Sequence, residues 1–265
     1  MKNVFHNMKR PFVIGMVHCL PLPGTAHFNN DIGVIIAQAV QDAKTLEKAG
    51  VDGIIIENMG DGPFAAKLDT EQVSALAAVT AYVSKEISIP FGIDAAFNDY
   101  AAALSIAKIT GAQFVRIPVF VDTVVYYGGI INPCAREAVI YRRKLQAEHI
   151  AIFADIQVKH THLLIPSISI EESAKNAVAC GADAVIVTGA TIGTETPIEI
   201  IQRVKKVIKV PVIAGSGVNA DNICKQLKIA DGAIVGSSLK EGGVLTNPIS
   251  YPLTRQMIET FKKGS

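Results

Sequence analysis

The sequence predicts a single closed (β/α)8 barrel, and three observations lead there. The chain has 265 residues, close to the roughly 250 of a bare barrel of this kind. One joint recurs along it: Lys48-Ala-Gly-Val-Asp-Gly-Ile-Ile-Ile56, Ile109-Thr-Gly-Ala-Gln-Phe-Val-Arg-Ile117, Ala179-Cys-Gly-Ala-Asp-Ala-Val-Ile-Val187 and Ile229-Ala-Asp-Gly-Ala-Ile-Val235. In most of these a helix ends at a glycine able to take the left-handed capping conformation, and a strand rich in branched residues follows after a short turn. Finally, strand and helix patterns alternate from one end of the chain to the other, which argues for parallel strands with crossover helices.

In order, the strands are expected at Val13–His18, Gly53–Glu57, Phe91–Ala95, Phe114–Val119, Ile150–Gln157, Ala184–Thr188, Val212–Ala214 and Ala233–Gly236. Helical patterns lie between them at Gly33–Ala49, Thr70–Glu86, Asp99–Thr110, Pro133–Glu148, Ile170–Cys180, Pro197–Lys209, Asn219–Leu227 and Pro248–Lys262. Asn132-Pro133, Thr196-Pro197 and Asn247-Pro248 read as a capping residue followed by proline in the first turn. One domain accounts for residues 1–265, with a short extension over 1–10. Gly215-Ser-Gly-Val-Asn-Ala220 fits a dinucleotide fingerprint, but it follows the seventh strand rather than the first of its unit, so an open dinucleotide-binding sheet is the weaker fold.

Composition narrows the function. Hydrophobic residues make up 49% of the chain, charged residues 18%, and the formal net charge is +1. Without a basic stripe, nucleic acid is excluded as a partner. The cysteines Cys19, Cys134, Cys180 and Cys224 form no C-x-x-C pair, which fits reduced thiols in the cytoplasm. No apolar run reaches the length of a membrane span. A homo-oligomer is left open.

The last third of the chain carries the clearest functional signal. Val210-Pro-Val-Ile-Ala-Gly-Ser-Gly-Val218 and Ala230-Asp-Gly-Ala-Ile-Val-Gly-Ser-Ser-Leu-Lys240 are apolar strands that end in glycine and serine. Neighbouring strand ends of this kind present backbone N–H groups without side chains in the way, and the loops after strands seven and eight are a frequent phosphate site. Gly215, Ser216, Gly217, Gly236 and Ser237 are therefore expected to bind a phosphorylated small molecule, with Thr188 and Gly189 bordering the same space.

Polar residues where barrel strands should be apolar mark the rest. Asp155, Gln157 and Lys159 alternate with Ala154, Ile156 and Val158, so they should share the inward face. His18, Glu57, Asn58, Asp94 and Arg116 occupy similar positions at or near other strand ends. His18, Glu57, Asp94, Asp155 and Lys159 are the catalytic candidates; Asn58, Arg116 and Gln157 are candidates for binding substrate. Arg116 is read equally as the partner of a core carboxylate. Lys159 is an imine-forming lysine, a clamp or a rim residue. His160 and His162 are placed on a loop, not in a metal site, and neither cofactor nor metal is expected.

These motifs resemble those of the BtpA family, which includes the SgcQ-like proteins. The matching stretches are His18-Cys-Leu-Pro-Leu-Pro-Gly24, Gly50-Val-Asp-Gly-Ile-Ile-Ile-Glu-Asn58 with Asp61-x-Pro-Phe64, Val158-Lys-His160 after Ala154-Asp155, and the glycine pair with Val235-Gly-Ser-Ser-Leu-Lys240. The resemblance implies a barrel over nearly the whole chain. It implies a role either in biogenesis of a membrane complex such as a photosystem, without turnover, or in sugar uptake and metabolism, and it brings no particular reaction with it. The inward acids and His18 beside a phosphate site are what point to proton transfer next to a carbonyl, as in an isomerase, epimerase or aldolase. The chain departs from the family pattern after strand three, where Asp94-Ala-Ala-Phe-Asn-Asp99 carries Phe97 in the place of an arginine, and after strand four, at Pro118 and Phe120-Val-Asp122. Those departures imply a subgroup with a different ligand.

Overall fold

A computed structural model describes residues 4–6, 8–189 and 195–264. Eight parallel strands close into a barrel: β1 (Phe12–His18), β2 (Gly53–Glu57), β3 (Phe91–Asp94), β4 (Phe114–Ile117), β5 (Ala151–Ile156), β6 (Ala184–Val187), β7 (Val212–Ala214) and β8 (Gly232–Val235), with β8 hydrogen-bonded back to β1. The helices are α1 (Ile32–Ala49), α2 (Thr70–Val83), α3 (Tyr100–Thr110), α4 (Ala135–Lys144), α5 (Ile170–Ala179), α6 (Ile198–Val207), α7 (Ile223–Leu227) and α8 (Tyr251–Gly264).

The helix ends follow local chemistry. Asp31 caps α1 by accepting from the N–H groups of Gly33 and Val34, and Gly50 closes that helix at φ 97°. Asp99 and Ser169 cap α3 and α5 in the same way. The three expected polar-residue–proline starts are corrected: α4, α6 and α8 begin at Ala135, Ile198 and Tyr251. The polar partners are engaged elsewhere. The Thr196 hydroxyl bonds to the carbonyls of Val187 and Ser216, and Asn247 Nδ2 donates to Glu241 O. A residue before proline is held extended, so the chain turns helical only beyond it.

Strand alternation separates two cores. Val13, Ile54, Ile93, Val115, Ile152, Val185, Val212 and Ala233 face the helices. Phe12, Ile14, Met16, Ile55, Phe114, Phe153, Ile186, Ile213 and Ile234 fill the interior. Phe114 stacks on Phe153 with ring centres 4.5 Å apart. Glycine makes room for these rings, because a β-carbon at Gly92 would strike Phe114 and one at Gly232 would strike Phe12. The chain before β1 packs against the same interior, with Val4 and Met8 buried and Phe5 stacked on Phe153 at 5.4 Å.

One feature was not expected from the sequence. Segments Val124–Tyr126, Gly129–Ile131 and His162–Leu163 form a three-stranded antiparallel sheet contributed by the loops after β4 and β5. Among the described residues, no helix is long and apolar enough to cross a membrane.

Candidate active site

Register builds the floor of the site. His18 on β1 pairs with Glu57 on β2, Glu57 with Asp94 on β3, and Asp94 with Arg116 on β4. Residues in register on parallel neighbours project from the same face of a sheet, so these four polar side chains form a row around one side of the barrel interior.

Arg116 is the anchor of this row. Its Nε and Nη2 donate to the two carboxylate oxygens of Asp155 at 2.9 and 2.8 Å, and its Nη1 lies 3.3 Å from Asp94. A two-pronged guanidinium–carboxylate pair fixes both groups in orientation as well as charge. Burial works against the charge on Arg116, but Asp155, Asp94 and Glu57 overcome this and raise its pKa.

The carboxyl groups of Glu57 and Asp94 diverge in character. Burial would push Glu57 upward, yet the His18 imidazole, whose Nε2 is 3.3 Å away, together with the charges of Arg116 and Lys159, brings it down to about 2. Asp94 goes the other way: burial, and then the neighbouring negative charge of Glu57, hold its pKa well above the ordinary carboxylate value. The two carboxyl groups are thus pushed apart, Glu57 toward its charged form and Asp94 toward its protonated form. Burial and the positive charge of Arg116 lower the pKa of Lys159.

Above the row lies a cavity of roughly 330 Å³, reached by His18, Glu57, Asn58, Arg116 and Lys159. One wall consists of Gly215–Val218 after β7 and Gly236–Ser238 after β8. There the N–H groups of Gly217, Gly236, Ser237 and Ser238 donate to no acceptor among the described residues. Gly236 also sits against His18: a β-carbon there would be 3.0 Å from Cε1 of the imidazole. The opposite wall is apolar, with Phe64, Phe97, Pro118 and Tyr127.

Several expected residues lie elsewhere or have other duties. Asp155 and Asp94 are buried at the floor and do not line the cavity. Gln157 is corrected: β5 ends at Ile156, Gln157 takes φ 48°, and its amide donates to Ile168 O and to Ser173 on α5. The alternation that placed it inward does not continue past the strand end. Thr188 Oγ1 accepts from the N–H of Lys159, and Gly189 donates to Ser216 Oγ, so both sit behind the wall and hold it. The Gly215 N–H is spent on Val187 O. Asn58 reaches the cavity, but its Nδ2 donates to Asp61 and its Oδ1 accepts from Ala96 N. His160 lies in the loop after β5 and reaches the cavity rim, whereas His162 pairs with Val125 in the small sheet, a correction to its loop placement.

Sequence reading missed the aromatic wall. Tyr126-Tyr-Gly-Gly129 between branched residues was a legible hairpin signal. The Tyr126 hydroxyl donates to Phe64 O, and the Tyr127 hydroxyl accepts from Phe64 N, so the hairpin is latched to the loop after β2.

Comparison with known proteins fixes the lineage. The model of the BtpA family matches residues 8–263. The chain belongs to the BtpA family. An uncharacterized protein of Archaeoglobus fulgidus is 42% identical over 88% of this chain and 93% of its own length. The photosystem I biogenesis protein BtpA of Synechocystis is 35% identical over 95% of this chain and 88% of its own. Among solved structures, thiamine phosphate pyrophosphorylase from Pyrococcus furiosus superposes with a TM-score of 0.59 at 14% identity, covering 98% of each chain. That likeness is one of fold.

Proposed function

We propose that this BtpA-family barrel is an enzyme that holds a phosphorylated small metabolite and moves a proton next to its carbonyl group, as an isomerase or lyase does. One observation carries the reading: His18, Glu57 and Arg116 of the in-register row line the same cavity as backbone N–H groups that have no acceptor among the described residues. Gly217, Gly236, Ser237 and Ser238 receive the phosphate, since a cluster of backbone N–H groups at neighbouring strand ends suits an anion. Glu57, kept ionised, is the base, and His18 relays the proton. Asp94 holds the proton that keeps the Glu57–Asp94 pair singly charged. Arg116, fixed by Asp155, lends positive charge to the floor. Lys159 polarises the carbonyl or captures it as an imine. Gln157, Thr188 and Gly189 support the loops rather than the ligand.

A second reading, assembly of a membrane complex without turnover, is favoured by the name of the Synechocystis relative. A screen by ligand-dependent melting with phosphorylated metabolites tests the proposal. A ligand at about a hundred times its Kd adds roughly 2.7 kcal/mol of stability. Turnover of a stabilising ligand supports the enzyme; binding without turnover across a broad panel supports the assembly reading.

A further inference from the structure

The cavity has two walls of different chemistry, and the distance between them is filled by the charged floor. The N–H wall stands on β7 and β8, while the apolar wall stands on the loops after β2, β3 and β4. A bare sugar phosphate is polar over its whole length and leaves Phe64, Phe97 and Tyr127 with nothing to bury.

The aromatic wall is built rather than incidental. Phe64 and Phe97 pack edge to face with ring centres 6.4 Å apart, and Phe97 packs on Tyr126 at 5.0 Å. The backbone of Phe64 is clamped on both sides by the hydroxyls of Tyr126 and Tyr127. Tyr127 is nonetheless 69% exposed. Rings fixed in place with uncovered surface bind another flat ring at little entropic cost. At the other side of the cavity His18 is only 7% exposed, and its Nδ1 has no hydrogen-bond partner among the described residues. A buried polar atom without a partner is costly unless a ligand supplies one.

We infer that the ligand is a monophosphate ester carrying a planar aromatic or heteroaromatic ring, with the phosphate on the N–H wall, the ring against Phe64, Phe97 and Tyr127, and the connecting carbon chain across Glu57 and His18. This inference rests on the phosphate placement proposed above. A volume of roughly 330 Å³ lies at the lower end of the range of ligand pockets, enough for one ring joined to a phosphorylated five-carbon unit.

The test compares probes that differ by one part. Affinities of the full-length chain are measured by calorimetry for ribose 5-phosphate, for adenosine and uridine 5′-monophosphate, and for adenosine and uridine. At least one nucleotide is expected to bind about ten- to a hundredfold more tightly than ribose 5-phosphate, the worth of one stacked ring. Phe97→Leu and the exposed-site variant Tyr127→Ala should reduce that preference while leaving ribose 5-phosphate binding in place. Ser237→Asp, which sets a carboxylate on the N–H wall, should weaken both phosphate classes. Equal binding of ribose 5-phosphate and both nucleotides, or a preference that survives both aromatic variants, would overturn the ring inference alone. Nucleosides binding as tightly as nucleotides, or no probe binding at all, would overturn the phosphate placement and the ring inference with it.

Discussion

His18 Nε2 lies 3.3 Å from Oε2 of Glu57, and the two residues stand in register on adjacent strands. The imidazole thus faces the carboxylate that Arg116 and Lys159 also help to keep charged, while burial and the charge of Glu57 raise the pKa of Asp94, next along the row. Two carboxyl groups whose pKa values are driven apart in this way suit opposite roles in proton transfer, the arrangement on which the proposed reaction depends.

Glu57→Gln is expected to change both activity and acid stability. The folded pKa of Glu57 is lowered from 4.5 to about 2, so its contribution is present above the higher value and is lost as pH falls between the two. Acid titration of the parent, followed by circular dichroism, should show this loss, and Glu57→Gln should flatten it. Asp94 is shifted the other way, so its contribution is present at low pH and fades as pH rises. Asp94→Asn, which copies the protonated form, is expected to match or exceed the parent in stability at mildly alkaline pH. A variant clearly less stable than the parent there would show that Asp94 is ionised.

Asp155→Ala is expected to cost about 3–5 kcal/mol in denaturant unfolding, because it strips a buried guanidinium of its two-pronged partner. Asp155→Asn should cost less, since the amide oxygen still accepts one bond. Equal and small losses in the two variants would show that water replaces the carboxylate.

Gly92→Ala is expected to destabilise by roughly 1–3 kcal/mol through overpacking against Phe114. Phe114→Leu in the same chain should recover part of that loss. Additive losses in the double variant would mean that the two positions do not share the space.

Much of the barrel was legible because its signals are local. The Gly50 and Gly111 caps sit at the predicted joints, and each marks the start of a turn into a strand. Alternation located His18, Glu57, Asp94, Arg116 and Asp155 on the inner face because a strand has a period of two. It failed at Gln157, one residue past β5, where positive φ turns the side chain toward α5. The division of labour was less legible. Whether Asp155 touches ligand or Arg116 depends on side-chain reach across strands, which spacing along the chain does not encode. The aromatic wall joins Phe64, Phe97 and Tyr127 from three loops, and only the closed barrel brings those loops together.

Lys159 separates two chemical routes. An imine forms when its neutral amine adds to a carbonyl and expels water, and borohydride then reduces the product to a stable secondary amine. Burial and Arg116 lower the pKa of this lysine and so favour the neutral amine. Borohydride treatment with a phosphorylated carbonyl ligand is expected to add the ligand's reduced mass to the peptide containing Lys159, and Lys159→Met should abolish the adduct. Turnover without an adduct would leave Lys159 as a source of charge alone.

Solvent exchange at the ligand's own carbon tests the central claim most directly. A phosphorylated carbonyl compound that stabilises the protein is incubated with it in heavy water and followed by NMR. The parent is expected to place deuterium beside the carbonyl, and Glu57→Gln to slow this by about 10²–10⁴-fold while still binding the compound. Binding without exchange in the parent, or equal exchange in parent and Glu57→Gln, would contradict a catalytic role for this carboxylate.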